Sequence, residues 1–91
     1  MKSIHLEVRG RVQGVGFRWY VVEMARELRL AGWVKNRADG NVELAAAGDA
    51  DALARLEAAV TAGPPGARVT DVRRLAAVAS GSLQSPFGVV R

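Results

Sequence analysis

The residues with the clearest capacity for chemistry are two glycines and an arginine in the segment GRVQGVGFR, residues 10–18. Gly14 and Gly16 allow the backbone to turn tightly and to point several N–H groups toward one place. Arg18 follows with a planar guanidinium that matches the oxygen atoms of a phosphate group. Together they predict a site that binds an anion. The simpler alternative is a tight connection whose amides bind water, and the loop alone leaves both interpretations open.

The same segment lies where a strand pattern changes to a helix pattern. Apolar residues at positions 4, 6, 8 and 12 alternate with polar ones, which predicts a strand over residues 2–12. Apolar residues at positions 17, 21, 24, 25 and 28 predict a helix over residues 16–29. No capping Ser, Thr, Asp or Asn lies between Gln13 and Arg18, and Arg18 is a cation where the helix dipole disfavours one. A bound anion would compensate for both features.

A second unusual polar residue, Asn36, lies in a segment that predicts a strand, residues 32–37. Asn is disfavoured in strands because its amide competes for backbone hydrogen bonds. Alternation places it on the apolar side of the strand, together with Val34. A buried amide needs partners, so Asn36 either bonds to a neighbouring loop or shares a site with the glycine loop.

The elements that must position these residues follow a βαββαβ order. Asp39-Gly40 predicts a hairpin turn before a returning strand at 42–46, and Asp49 is a candidate N-cap of a second helix. The sequence GPPG ends that helix, and a strand that can carry a bulge follows from residue 69. Residues 80–86 predict a loop and residues 87–91 a short last strand. The order predicts a ferredoxin-like α+β fold, a split βαβ sandwich in which one antiparallel sheet carries two helices on one face.

Composition narrows the class of protein. Ninety-one residues with 49% hydrophobic content predict one folded domain, residues 1–91. The absence of cysteine excludes disulfides and thiolate chemistry, and one histidine makes a protein metal site improbable. The net charge of +4 comes from scattered arginines rather than a basic tail. Met1-Lys2-Ser3 leads directly into strand without a signal-peptide core, so we expect a cytoplasmic protein.

Residues 10–18, with GWVKN at 32–36, DGNVE at 39–43 and Gly48, resemble both signature segments of the acylphosphatases. The resemblance implies hydrolysis of carboxyl-phosphate anhydrides to a carboxylate and inorganic phosphate, with no metal or other cofactor. It implies that Arg18 is catalytic and holds the phosphoryl group, and that Asn36 is catalytic and orients the attacking water. It further implies that phosphate binds to the loop amides at Gly14, Val15, Gly16, Phe17 and Arg18. One departure, Arg29 where the family often has glycine, predicts a different helix end.

Two other classes of function compete with this interpretation. Ferredoxin-like sheets also bind RNA, but such platforms carry exposed aromatic residues on their central strands. The outward positions of the first predicted strand are instead His5, Glu7, Arg9 and Arg11, with His5 a surface residue. A domain that binds acyl phosphates without turnover is the second alternative. We therefore expect a small acyl phosphate or inorganic phosphate as partner, no specific nucleic acid, no membrane and a monomeric state.

Overall fold

The computed structural model describes residues 2–91 and contains two helices, five strands and one short 3₁₀ turn. In chain order the elements are β1 (Lys2–Arg11), α1 (Phe17–Glu27), β2 (Ala31–Asn36), β3 (Val42–Gly48), α2 (Ala50–Ala62), β4 (Arg68–Arg74), the 3₁₀ turn (Ser80–Ser82) and β5 (Gly88–Val89). This is the predicted order with the short additional strand at the end. No helix in the described part of the chain has the length and hydropathy needed to span a bilayer.

The five strands form one sheet in the order β4-β1-β3-β2-β5. The first four strands pair antiparallel with their neighbours, as predicted. The sheet is nevertheless mixed, because β5 pairs with β2 in parallel. After β4 the chain bonds to β1 through Ser3 Oγ and the Val78 carbonyl (2.8 Å), and it reaches β2 where Gly32 N–H donates to Gln84 (2.7 Å). This crossing from one sheet edge to the other sets the direction of β5.

The core lies between one face of the sheet and both helices, as the alternation predicts. Its residues come from β1, β2, β3, both helices, the connections on either side of α1 and the segment before β5. The largest fully buried side chains are those of Phe17, Phe87, Leu6, Leu44 and Leu56. Burial of such side chains stabilises a fold by about 1.5–3 kcal/mol each. Because Phe17 is the first residue of α1, its burial fixes the start of this helix against the sheet.

The end of α1 and the cap of α2 differ in detail from what the sequence predicts. Helix α1 ends at Glu27, before the predicted boundary, because Arg29 adopts a left-handed conformation (φ 57°). There the N–H of Leu30 donates to the Ala25 carbonyl (2.9 Å), which closes the helix end in the manner usually given to glycine. Asp49 is the N-cap residue of α2, as predicted, but its side chain makes no capping hydrogen bond.

Strand β4 carries the bulge that its β-branched sequence allowed. Arg9 pairs with Asp71 and Gly10 with Val69, so Thr70 has no partner on β1. Gly10 has φ 129°, and a methyl group at this position would overlap the carbonyl oxygen of Arg68. The close approach of the two backbones at the bulge therefore requires glycine.

Candidate active site

The glycine loop between β1 and α1 has a backbone shape that few residues other than glycine adopt. Gly14 has φ 76° and Gly16 has φ 77°, both in the left-handed region. That conformation costs an L-residue with a side chain roughly 1–2 kcal/mol. Gly16 is the N-cap of α1, and no side chain caps the helix and no acidic residue lies in its first turn. Among residues 2–91, no backbone or side-chain acceptor binds the amides from 14 to 19.

Arg18 lies in the first turn of α1 and is exposed. No carboxylate of the described residues forms an ion pair with its guanidinium. The positive end of the helix dipole, the unpaired amides and this guanidinium therefore all lie at the start of α1, where they add to a positive potential. Such an arrangement favours binding of an anion.

A pocket of about 100 Å³ joins the loop to strand β2. It is lined by Val12, Gly14, Gly16, Phe17, Arg18, Trp19 and Asn36. The structure thus brings Arg18 and Asn36, which are 18 positions apart in the sequence, to one small cavity. Val15 is the one predicted loop residue that does not line it, and its side chain packs against the core instead.

Asn36 is the last residue of β2, where it pairs with Val42 of β3. It is half-buried and lies on the side of the strand that carries Val34, as alternation predicts. No hydrogen bond joins its side-chain amide to another residue in the described range 2–91. Of the two alternatives that the sequence left open, a hydrogen bond to a neighbouring loop is absent among these residues, and Asn36 lines the same pocket as the glycine loop.

Gln13 is a residue whose position sequence reasoning did not determine. Its side-chain nitrogen donates to the carbonyl oxygens of Arg37 (2.8 Å) and Asn41 (2.9 Å), at the two ends of the β2–β3 turn. The Arg37 N–H donates in turn to the Asn41 carbonyl (2.8 Å). Gln13 thereby ties the glycine loop to the hairpin that carries Asn36. The sequence signal that could have indicated this role is the position of Gln13 directly before Gly14 of the loop.

Charged side chains support the same hairpin from the open face of the sheet. Glu7, which is buried, accepts a hydrogen bond from Asn41 Nδ2 (2.7 Å). The Arg37 guanidinium forms ion pairs with two carboxylates: its Nε lies 3.1 Å from Asp39 Oδ2, and its Nη1 lies 3.5 Å from Glu43 Oε1. The backbone N–H of Asn41 and the neighbouring Arg37 guanidinium lower the pKa of Asp39. The turn is therefore held by hydrogen bonds and charges on both sides.

His5 is not the simple surface residue that the strand pattern predicted. Its Nδ1 donates to the Ala76 carbonyl (2.8 Å), and its Nε2 lies 2.6 Å from Glu43 Oε2. The ring packs edge-on against Trp33. The crossing segment after β4 covers this part of the open face, which is why alternation within β1 could not reveal the burial.

A larger cavity, of about 820 Å³, lies elsewhere. It is a groove between the start of β1 and α2, lined among others by Lys2, Leu53 and Arg74, and it contains none of the predicted site residues. Two of its charged lining residues, Glu57 and Arg74, pair with each other (2.7 Å), and its size alone does not identify a functional site. No group of three His, Asp or Glu residues in the range 2–91 is placed to hold a metal ion.

Known proteins with similar sequences and structures support the resemblance. The sequence profile of the family described as Acylphosphatase matches residues 4–82. An acylphosphatase of Acidiphilium cryptum is 59% identical over 72 residues, which cover 79% of each chain. An acylphosphatase of Methylococcus capsulatus is 53% identical over 78 residues, which cover 84% of this chain and 85% of that protein. The crystal structure of acylphosphatase from Bacillus subtilis superposes with a TM-score of 0.91 at 42% identity, covering all of both chains. The chain therefore belongs to the acylphosphatase family, hydrolases that act on acid anhydrides.

Proposed function

We propose that this protein hydrolyses small acyl phosphates to a carboxylate and inorganic phosphate without a metal ion. The observation that carries the proposal is the pocket in which Arg18 and Asn36 meet next to open backbone amides. The proposal also has the chain acting as a single-domain monomer on a free small molecule. Inorganic phosphate, the product, would occupy the same loop.

The glycine loop and Arg18 would hold the phosphoryl group. N–H groups at Gly14, Val15, Gly16, Phe17 and Arg18 would donate to its oxygen atoms, and the guanidinium would bind two of those oxygens at once. Phosphoryl transfer requires mainly positioning and stabilisation of charge on these oxygens. Donors that are already oriented supply such stabilisation without reorganisation during the reaction. This loop would therefore supply positive charge to the transition state.

Asn36 would orient the attacking water. Its amide can accept from the water or donate to it, and it lines the same cavity as Arg18. The water oxygen forms a bond to phosphorus while the bond from phosphorus to the acyl oxygen breaks. A carboxylate leaves readily without protonation because the pKa of its acid is about 4. A phosphoryl oxygen of the substrate accepts the proton of the water, so the reaction needs no protein base.

Phosphate release from acyl phosphates and from a phosphate monoester tests the proposal. We expect turnover of acetyl phosphate and benzoyl phosphate with and without EDTA, and almost none of phenyl phosphate, whose leaving group is much more basic. Equal rates on the monoester would contradict the proposed mechanism. A loss of activity in EDTA that Mg²⁺ or Zn²⁺ restores would contradict the metal-free reaction. Binding of phosphate without any turnover would make the protein a binding module.

Two substitutions at Arg18 sharpen the test. Arg18→Ala should lose roughly 10³-fold or more in kcat/KM, the scale for removing a charge clamp in phosphoryl transfer. Arg18→Lys should recover little, because a point charge cannot replace the planar fork. Arg55→Ala is the matched control, since it removes an exposed arginine from α2, away from the pocket. Near-normal kcat/KM in Arg18→Ala would refute the assigned role.

A further inference from the structure

An exposed tryptophan stands beside the pocket and has no role in the mechanism above. Trp19 follows Arg18 in the first turn of α1, is 66% exposed and lines the cavity. Val89, at 43%, is the other large hydrophobic residue exposed among residues 2–91. No other aromatic ring in that range stacks on the Trp19 indole. Its flat apolar surface is therefore available next to the site.

The size of the pocket determines which part of a substrate fits inside it. Its volume of about 100 Å³ is well below the roughly 300–1,000 Å³ of pockets that enclose a drug-sized ligand. In the proposed function a phosphoryl group and the attacking water would take up this space. The acyl group of any substrate larger than acetyl phosphate must then remain at the mouth of the pocket.

The wall of the pocket offers one extended apolar surface for this acyl group. Gly14 and Gly16 have no side chains, and the apolar residues Val12 and Phe17 are each buried in the core with 1% exposure. Arg18 and Asn36 are polar and are engaged by the phosphoryl group and the water in the proposed function. Trp19 is the lining residue that combines a large apolar side chain with exposure to solvent.

We propose that Trp19 forms an acyl-binding subsite that selects acyl phosphates with an aromatic or extended apolar acyl group over acetyl phosphate. The inference rests on the proposed function of the pocket. An aromatic acyl group would stack against the indole in an offset or edge-on arrangement, the geometry that aromatic pairs prefer. Since this contact is made before and during the reaction, it acts on substrate binding more than on the chemical step.

Steady-state kinetics with benzoyl phosphate and acetyl phosphate test the subsite. Trp19→Ala should raise the KM for benzoyl phosphate by about three- to tenfold, the range that a pairwise aromatic contact supplies. Its KM for acetyl phosphate should stay within about twofold, and kcat should change little for either substrate. Trp19→Phe should recover most of the discrimination because it keeps an aromatic ring. Val89→Ala is the control for removing exposed apolar surface elsewhere.

Inhibition by phosphonates gives a second readout that needs no phosphoryl transfer from the probe. Phenylphosphonate should inhibit wild type more strongly than methylphosphonate does, and Trp19→Ala should remove most of that difference. An equal change for both substrates and both phosphonates would overturn the subsite and leave the proposed function standing. Absence of acyl phosphate turnover by wild type would overturn both. Trp19→Gln repeats the test with a long polar side chain if the alanine variant is poorly folded.

Discussion

The two hydrogen bonds of Gln13 lead to a quantitative prediction for the variant Gln13→Ala. Removing the side-chain amide deletes donors to two carbonyl oxygens, those of Arg37 and Asn41. Each oxygen keeps one backbone donor, the N–H of Gly40 at 3.2 Å and that of Arg37 at 2.8 Å. Neither carbonyl is left unpaired, so the loss is at the lower end of the usual 0.5–1.5 kcal/mol per bond, or about 1–2 kcal/mol in total.

That loss of stability should be measurable in a thermal melt. For a domain of this size, about 1–2 kcal/mol lowers Tm by roughly 4–16 °C. The isosteric variant Gln13→Glu should lose at least as much, because its carboxylate cannot donate to either carbonyl. A Tm within about 2 °C of wild type in both variants would show that these hydrogen bonds contribute nothing.

The same variants should also change turnover, because Gln13 links the glycine loop to the hairpin that carries Asn36. A displacement of about 1 Å between reacting groups can reduce turnover by roughly 10²-fold. We therefore expect kcat, measured well below Tm, to fall by about ten- to a hundredfold. The affinity for inorganic phosphate should change less. An unchanged kcat alongside a lowered Tm would refute the positioning argument and leave Gln13 a purely stabilising residue.

Three further predictions concern other positions. Asn36→Ala should reduce kcat by about 10²-fold or more, while saturating phosphate still raises its Tm, as it would if Arg18 and the loop hold the anion; loss of that shift would make Asn36 part of the anion site. Arg29→Gly should raise Tm by a few degrees, because glycine adopts φ 57° without steric strain, and Arg29→Ala should not. Because the pKa of Asp39 is lowered in the fold, its carboxylate stabilises the fold above about pH 4, and this contribution is lost as the pH falls through the lowered pKa. The Tm of Asp39→Asn should therefore fall less than the Tm of wild type between pH 6 and pH 3. Equal decreases in the two proteins would refute this.

The sequence was informative wherever one segment carried its own signal. Alternation around Leu6 and helical spacing from Phe17 predicted the strands and helices because these patterns depend on nearest neighbours along the chain. The antiparallel pairing among the first four strands followed from their order along the chain. The presence of Arg18 and Asn36 in one pocket followed from the predicted fold and the family resemblance.

The sequence carries no signal for contacts that join segments distant along the chain. His5 bonds to Ala76 of the covering segment, which lies 71 positions away along the chain, and nothing in its own strand predicts that contact. The parallel pairing of β5 depends on where the chain crosses the sheet, and its two residues are too few to show a direction. The hydrogen bonds of Gln13 to Arg37 and Asn41 likewise depend on the turn at the far side of the loop.

The bulge at Thr70 has a consequence for how this protein behaves at high concentration. Strand β4 is an edge of the sheet, and a long regular edge would invite strand addition by a second molecule and lead toward aggregation. The bulge interrupts the regular ladder, and the strand sequence RVTDVRR carries charge at four of its seven positions. The opposite edge, β5, spans two residues. Both edges therefore disfavour intermolecular β-pairing, and replacing the charged residues of β4 by Thr or Val should increase the rate of fibril formation.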